Sequence, residues 1–404
     1  MNNEQKKGFS RRTLIKGAAA AGGLAVASSF VPYRFAIGAQ AKVKVGILLP
    51  YSGTYAMLGN SITDAMKLRI AAAGDMLGGR PVEYVAIDSQ MSVPKAPQNT
   101  SKLVDKDSVD FVVGPVHSGI AAAMAKIIGK RDQPIMIVPN AGSNAVTGPL
   151  CSENIFRTSF SNWQPAYPGG TLMAKEGHKT CITIAWKYGA GRQMMDAGAE
   201  AFTKAGGKVI KDIEVPFPDV EFQAFLSEIA SLKPDAVFAF FSGGGAIKFL
   251  KDYAAAGLKS IPLYGPGFLT EGVAKAAGAA AEGVRTTLHY SADLDNPSNH
   301  AFRAAYEKAT GKGANVFAVQ GYDAGSLIVQ AMAKVKGDTG ATADLIKAME
   351  NANFIDSPRG PWKMSAAHNP IQNIYLREVR NGAQKYLGIA AKALEDPAAG
   401  CKMA

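Results

Sequence analysis

Small polar residues follow two short apolar runs in the first half of the chain, Phe111–Val113 and Ile135–Val138. The polar side chains after these runs are those of Ser118, Asn140, Ser143 and Asn144. Hydroxyls, amides and the backbone N–H groups at the start of a helix hydrogen-bond small polar or anionic ligands. Their residue types and spacing indicate a binding site for a small molecule.

The segment between the two runs has helical periodicity, since Ile120, Met124, Ile127 and Ile128 recur on one face. A strand, a helix and a second strand in so short a segment form a β-α-β unit, with parallel strands and a right-handed crossover. Both polar loops then leave the sheet at its carboxyl edge, where open α/β sheets bind ligands. We interpret this edge as half of a ligand site.

The composition is that of a globular protein, with 404 residues, 47% hydrophobic and 19% charged. This length suggests two domains. The formal net charge is +11, but residues 1–41 hold six Lys/Arg and one Glu, which is +5 and leaves +6 for the remainder. The remaining basic residues are scattered and lack interleaved aromatic residues, which argues against nucleic-acid binding.

The N-terminus has the pattern of an export signal. Ser10-Arg11-Arg12 and Lys16 precede an Ala/Gly-rich run, Gly17–Val31, and Ala39-Gln40-Ala41 fits a small-x-small cleavage site. This resembles the twin-arginine signal of bacterial exported proteins. It predicts a mature chain that starts near Lys42; the alternative is a basic amphipathic anchor.

The three cysteines are far apart in the sequence. Cys181 lies in an apolar strand and reads as a buried thiol, whereas Cys151 lies in a loop and Cys401 in the polar C-terminal tail. In an oxidising compartment Cys151 and Cys401 could pair and fix the tail, although the sequence does not determine connectivity. Because no CxxC or His/Cys cluster occurs, we expect no metal site, redox site or cofactor.

Alternating strands and helices occur twice along the chain, so the predicted fold class is α/β, with two doubly wound parallel-sheet lobes joined by a multi-strand hinge. Two late helices, Asn299–Thr310 and Val316–Val335, have no strand of their own and should pack on the first lobe. The predicted division is residues 1–41 for the signal, 42–158 and 290–352 for the N-terminal lobe, and 159–289 and 353–404 for the C-terminal lobe.

Several short motifs, taken together and in order, resemble the leucine/isoleucine/valine-binding protein family of periplasmic solute receptors for ABC transporters. These are Gly46–Leu58, Gly114-Pro115 with Ser118, Pro139–Thr147, Phe156-Arg157-Thr158, Tyr188-Gly189, Ala255–Leu258 and Gly321–Ala324. The resemblance covers essentially the whole mature chain. It implies a two-lobed receptor that closes around its ligand and delivers it to membrane permease subunits.

In this family the first lobe grips a ligand carboxylate with a serine after the Gly-Pro turn and with the loop after the next strand. By position these are Ser118, Asn140, Ala141 and Ser143. On spacing alone, ordinary helix N-capping would also explain the two serines. His117 beside Ser118 has no partner carboxylate or nucleophile elbow nearby, so catalysis is not indicated, but His117 stays a candidate ligand contact.

Aromatic walls of the site should come from Tyr55 and Leu58 in the first loop, Tyr188 in the second lobe, and Phe241 at a strand end. Phe240 is the alternative to Phe241 if the alignment shifts by one residue. The stretch Ser242–Gly245 lacks the ending of a phosphate-binding P-loop. We interpret it as a close backbone approach to the ligand, with Ser242 as a candidate contact.

The sequence departs from the family at one informative position. Amino-acid binders place an acidic residue after a Gly-Pro in the second lobe to pair the ligand's ammonium, and here Gly267, followed by Phe268, occupies that place. Burying an unpaired ammonium is costly, so we expect a carboxylate ligand without an α-amino group and with an aromatic or bulky apolar body. Glu271 or Asp323 could replace the missing acid; a branched-chain amino acid or amide is therefore the alternative ligand.

The predicted function is an exported, non-enzymatic substrate-binding protein of an ABC importer, acting in the periplasm. The expected partners are a small carboxylate or amino acid and the permease subunits of the membrane, and the expected state is a monomer. A ligand-sensing receptor domain is an alternative of another class. An enzyme would need a convergent acid/base or metal constellation, which five scattered histidines do not supply.

Overall fold

The computed structural model describes residues 41–404, so the predicted export signal lies outside the described residues, apart from its last position. Six strands form the first sheet. They are β1 (Val43–Leu49), β2 (Met76–Leu77), β3 (Arg80–Asp88), β4 (Phe111–Val113), β5 (Ile135–Val138) and β6 (Ile155–Arg157). Their order is β2-β3-β1-β4-β5-β6, and all pairs are parallel except β2 with β3.

The central strands of the first sheet are apolar along their whole length because helices cover both faces. Every residue of β4 and β5 is buried, and Phe111 pairs with Ile135 in parallel register. The helices that follow strands of this sheet are α1 (Ala56–Ala71), α2 (Ala96–Ser101) and α3 (Ser118–Ile128). The β-α-β unit predicted between residues 110 and 147 is present as β4-α3-β5.

Three late helices return to this lobe, namely α9 (Pro297–Thr310), α10 (Val316–Lys334) and α11 (Thr342–Glu350). Helix α10 packs along α1, and α9 also contacts α1. Gly321 permits this close approach, since a Cβ there would lie 2.1 Å from the carbonyl oxygen of Ile62. The residue boundaries assigned to the lobes stay a prediction.

Eight strands form the second sheet. They are β7 (Thr180–Lys187), β8 (Lys208–Pro216), β9 (Ala236–Phe240), β10 (Leu263–Pro266), β11 (Arg285–Leu288), β12 (Lys363–Met364), β13 (Pro370–Arg380) and β14 (Ala383–Leu394). Strands β7 to β11 pair in parallel, and β13 joins β11 antiparallel and pairs with both β12 and β14. Strands β13 and β14 are connected by the tight turn Asn381-Gly382.

The helices of the second lobe are α4 (Trp163–Lys175), α5 (Gly189–Lys204), α6 (Gln223–Leu232), α7 (Gly243–Ala255) and the short α8 (Ala274–Ala277). Helices α5 and α7 each begin directly after a strand, at the carboxyl edge of the sheet. The two α/β lobes with parallel central strands confirm the predicted fold class. Within residues 41–404, no helix combines the length and apolarity needed to cross a membrane.

The C-terminal tail is attached to the first lobe by covalent and polar contacts. Cys151 and Cys401 form a disulfide with Cα atoms 5.6 Å apart, the pairing considered from the sequence. Nearby, the Thr147 hydroxyl donates to Asp396 over 2.8 Å. Cys181 is a buried free thiol in β7. The tail therefore closes a long loop that spans both lobes.

Candidate functional site

A narrow cavity lies where the carboxyl edges of the two sheets face each other. Seven of the residues predicted for the site line it: Tyr55, Leu58, Ser118, Asn140, Tyr188, Ser242 and Phe268. The other lining residues are Val116, Gly142, Phe160, Asn162, Ala190, Met194, Phe240 and Phe317. Among residues 41–404, no Asp, Glu, Lys, Arg or His lines this cavity, so neutral groups must solvate any charge of a bound ligand.

Three helices direct their N-termini at this region, because each follows a strand that ends at a carboxyl edge. Ser118 is the first residue of α3, Gly189 begins α5, and Ser242 precedes α7. The first turns of α3 and α5 are adjacent, since a Cβ on Gly189 would lie 3.5 Å from that of Ser118. Helix N-termini carry partial positive charge and unpaired N–H groups, which favour an anion.

The side chain of Ser118 is held by a hydrogen-bond network that includes residues of both lobes. The amide nitrogen of Asn162 donates to Ser118 Oγ over 3.3 Å and to Gln193 Oε1 over 2.8 Å. The backbone N–H of Asn144 also donates to Gln193 Oε1, over 3.0 Å. Asn144 is in the first-lobe loop, whereas Gln193 is in α5 of the second lobe.

A buried cation supports the loop after β5. The guanidinium of Arg157 donates to the carbonyl oxygens of Ala141 and Ser143, over 3.3 and 3.1 Å, and to that of Phe160. In a trans peptide the C=O and N–H point in opposite directions, so the N–H of Gly142 points away from Arg157. Since Gly142 lines the cavity, this N–H is a candidate donor to a ligand there. Burial lowers the pKa of Arg157 to about 10, a value that is still high enough for the guanidinium to be charged at neutral pH.

Asn140 is the other polar group of the first lobe in the cavity. It contacts Gln320 of α10 over 2.7 Å, and Gln320 in turn contacts His289 Nε2 over 3.1 Å. Burial lowers the pKa of His289 well below its usual range, with a further lowering from Arg359 and Arg377. His289 is therefore neutral, and this chain of three side chains carries no net charge.

Aromatic rings form the apolar walls. Phe268 lies 4.8 Å from Phe160 and 6.1 Å from Phe317, and its ring meets Phe240 edge-on at 6.3 Å. Tyr188 closes the same side, with its ring 6.2 Å from Phe240. Flat rings with polarised edges favour other aromatic groups in offset or edge-to-face contact. This wall suits a planar aromatic body better than a branched aliphatic one.

The two candidate acids that could replace a missing counter-ion for a ligand ammonium are both occupied. Glu271 is buried, pairs with the guanidinium of Arg377 and accepts from the backbone N–H of Val316. Asp323 is buried against Arg359, with 3.1 Å between the charged atoms, and accepts from Ser357 and Trp362. Burial raises the pKa of Asp323 to about 6, while Arg359 opposes the rise. Neither carboxylate lines the cavity.

Five of the predicted site residues do not line the cavity, and two of them are clear corrections. Phe241 points into the lobe core, where it packs against Phe222, Phe249 and Trp186. Successive strand residues point to opposite faces, so Phe240 faces the cavity instead. A side chain at Gly267 would point toward Arg377 and not into the cavity, since a Cβ there would lie 2.3 Å from Arg377 Nη2.

The remaining three contribute to the frame of the site. His117 caps α3 by accepting from the N–H of Gly119 over 3.0 Å, and its ring stacks on Tyr188 at 4.7 Å. The carbonyls of Ala141 and Ser143 bind Arg157. Their side chains are buried beside the cavity without lining it. A direct ligand contact by these three residues stays a prediction.

Several lining residues were not predicted. Phe160 and Asn162 follow Phe156-Arg157-Thr158, where the chain passes from the first lobe to the second. This position between the lobes was the available signal for both residues. Phe317 is in α10, and the sequence of this segment predicts a helix but not a contact with the cavity. Met194 lies in the second turn of α5, the helix that Tyr188 precedes, and its neighbour Gln193 binds Asn144 and Asn162 beside the cavity. The start of α5 at the carboxyl edge of the sheet was the available signal for both.

A second open groove lies at the amino edge of the second sheet, beside Glu176, Tyr264 and Arg285. Two of its charged groups bind each other, because Arg285 pairs with Glu176, and Arg285 also pairs with the neighbouring Glu378. The groove is therefore less suited to a charged ligand than the cavity between the carboxyl edges. Among residues 41–404, no group of three or more His, Cys, Asp or Glu side chains could hold a metal ion.

Comparisons with known proteins agree with this geometry. A family model described as periplasmic binding protein matches residues 42–384. Leu/Ile/Val-binding protein homolog 6 of Brucella melitensis is 34% identical over 349 residues, which cover 83% of this chain and 87% of that protein.

Two solved structures extend the comparison to ligands. An ABC-transporter solute-binding protein from R. palustris, solved in complex with benzoate, is 51% identical, covers 90% of this chain and 100% of its own, and superimposes with a TM-score of 0.87. Another, from Rhodopseudomonas palustris BisB5 in complex with 3,4-dihydroxybenzoic acid, is 32% identical, with 88% and 99% coverage and a TM-score of 0.83.

Proposed function

The chain belongs to the periplasmic binding protein family, and we propose that it is the substrate-binding protein of an ABC importer for a benzoate-type aromatic carboxylate. The observation that carries this proposal is the cavity itself. It combines aromatic walls with hydroxyl and amide donors, and no charged side chain of the described residues lines it.

The donor groups suit a carboxylate that leaves water. Such a group loses several kcal/mol of solvation unless hydrogen bonds replace it. Ser118, Ser242 and the N–H of Gly142 are neutral donors, and the N-termini of α3 and α5 add a favourable potential. The complexes of the similar proteins with benzoate and 3,4-dihydroxybenzoic acid support this ligand class.

An α-amino acid is the rival ligand, and the names of the Leu/Ile/Val-binding homologues favour it. Its ammonium would need a carboxylate in the cavity wall, because an uncompensated buried charge costs several kcal/mol. Glu271 and Asp323 are each paired with an arginine. An aromatic acid without an ammonium therefore fits this chain better.

The partners and location follow from the family. Relatives and structural neighbours are binding proteins of transporters and not enzymes, and we extend this non-enzymatic role to the present chain. The closed protein would dock on the permease subunits of its importer as a monomer. We further propose export by the twin-arginine pathway, supported by Ser10-Arg11-Arg12 and Lys16.

Isothermal titration of the purified protein with benzoate and with leucine tests the proposal. We expect benzoate to bind and leucine not to bind. Ser118→Ala should weaken benzoate about tenfold or more, as expected for one hydrogen bond to a charged group. Ser227→Ala, at an exposed position of α6, serves as the matched control. Binding of leucine without binding of any aromatic acid would overturn the proposal.

A further inference from the structure

Gln193 occupies an unusual position for a residue that does not line the cavity. It is half-buried in α5 of the second lobe, and its side-chain oxygen accepts two hydrogen bonds. One comes from the backbone N–H of Asn144 over 3.0 Å, the other from the amide of Asn162 over 2.8 Å. Both donors belong to loops that flank Ser118.

The backbone N–H of Asn144 fixes the orientation of this network. A backbone N–H can only donate, so the Gln193 atom that faces it must be the carbonyl oxygen. If the Gln193 amide were flipped, its NH₂ group would face the Asn144 N–H, and two donors would oppose each other. The Asn162 atom that faces the same oxygen must therefore be its NH₂ group.

The orientation of the Asn162 amide determines the role of the Ser118 hydroxyl in the cavity. The NH₂ group of Asn162 also donates to Ser118 Oγ over 3.3 Å, so the serine oxygen is an acceptor in that bond. Within the described residues, this is the one hydrogen bond recorded for the Ser118 hydroxyl. Its hydrogen is thus left for a ligand, and only a hydrogen-bond acceptor can receive it. The oxygen keeps a second lone pair, but a ligand NH₂ placed there would leave the buried hydroxyl hydrogen without an acceptor, which is costly.

We propose that Gln193 is a positioning and specificity residue that commits the Ser118 hydroxyl to donate and thereby selects a carboxylate oxygen over an amide NH₂. The inference rests on the proposed function and extends it from the ligand class to the residue that enforces it. Because Gln193 is in the second lobe and Asn144 is in the first, the network is complete only when the lobes are closed. Carboxylate selection is therefore coupled to closure.

Gln193→Met tests this proposal, because methionine retains the length of the side chain and removes its acceptor. Affinities for benzoate and for its neutral isostere benzamide are measured by isothermal titration, using direct or competition formats. We expect the variant to lose about tenfold in benzoate affinity and much less in benzamide affinity, so that the preference for benzoate falls. Gln223→Met, at the exposed start of α6, is the matched control and should leave both affinities unchanged.

The outcomes separate this inference from the proposed function. If the unmodified protein fails to bind benzoate, the proposed function fails. If it binds benzoate and Gln193→Met binds it equally well, Gln193 has no such role. If the variant loses the same factor for benzoate and benzamide, Gln193 only supports packing, and the inference is also overturned.

Discussion

The hydroxyl of Tyr55 lies 3.0 Å from the hydroxyl of Tyr188, and this hydrogen bond joins the two lobes across the cavity. Tyr55 lies in the loop after the first strand of one sheet, and Tyr188 directly follows the first strand of the other, β7. Burial raises the pKa of both phenols, so both stay neutral at physiological pH. The contact can form only when the lobes are closed.

Tyr55→Phe should therefore weaken ligand binding. The substitution removes the inter-lobe hydrogen bond and leaves the buried Tyr188 hydroxyl without its partner. A neutral hydrogen bond contributes about 1 kcal/mol, which corresponds to roughly fivefold in benzoate affinity. Titration calorimetry measures the change, with Tyr386→Phe, 37% exposed on β14, as the control. Equal affinities of Tyr55→Phe and the unmodified protein would contradict a role of this bond in closure.

Gly267→Asp introduces the acidic residue of amino-acid binders, but it should not create an amino-acid site. A Cβ at this position would lie 2.3 Å from Arg377 Nη2 and 2.5 Å from Leu288 Cβ. The new carboxylate would meet Arg377, not a ligand. We expect the free energy of unfolding to fall by about 1–3 kcal/mol, as for overpacked cores, and leucine to stay unbound.

Urea unfolding and leucine titration check this prediction. Gly313→Ala is the control, because no atom of residues 41–404 beyond its chain neighbours lies within 4 Å of a Cβ at this exposed glycine. Tight leucine binding by Gly267→Asp would show that position 267 faces the ligand after all, contrary to the structure.

The sequence predicted the site best where local rules determine position. The buried runs Phe111–Val113 and Ile135–Val138 and the helix between them specify a β-α-β unit. Ser118 and Asn140 follow its strands, so the carboxyl-edge rule alone locates them. Tyr55 and Tyr188 were placed at the corresponding loops by the family resemblance, and the structure brings both to the cavity.

Prediction was weaker where a one-residue shift in strand register, or a contact with a residue far away in sequence, determines whether a side chain faces the cavity. Phe240 and Phe241 differ only in strand register, and a shift of one residue exchanges cavity and core. The role of Gly267 depends on Arg377, which is far away in sequence and reaches it through β13. Phe317 lines the cavity from α10, and Gln193 of α5 binds Asn144 and Asn162 beside it. Both positions depend on how distant parts of the chain pack, which no local pattern specifies.

Ser242→Ala should separate stability from binding. The Ser242 hydroxyl is buried and has no hydrogen-bond partner within the described residues, and it does not cap α7. An unsatisfied buried hydroxyl costs about 1–3 kcal/mol, so its removal should leave the free energy of unfolding of the ligand-free protein unchanged or higher. Benzoate affinity should fall about tenfold if this hydroxyl donates to the carboxylate.

Urea unfolding without ligand and titration with benzoate measure the two effects of Ser242→Ala. Ser227→Ala, on the exposed face of α6, should change neither quantity. A loss of stability without a loss of affinity would indicate that Ser242 supports the fold and does not contact the ligand.

His117 should make the protein sensitive to acid. Burial lowers its pKa from 6.5 to about 4, so the unfolded chain binds a proton that the folded protein does not. The contribution of neutral His117 to the free energy of unfolding is fully present above about pH 6.5 and is lost as the pH falls toward 4. In this window the free energy of unfolding should decrease by up to about 1.4 kcal/mol per pH unit for this one group.

His117→Asn removes the titrating ring, while asparagine can still cap α3. Between pH 6.5 and about pH 4.5, we expect the variant to lose about 2 kcal/mol less stability than the unmodified protein. Urea unfolding at both pH values measures this difference, and His289 and His368 remain in both proteins. His300→Asn, at an exposed histidine of α9, should retain the acid sensitivity of the unmodified protein. Parallel pH profiles of His117→Asn and the unmodified protein would show that the buried His117 does not titrate as expected.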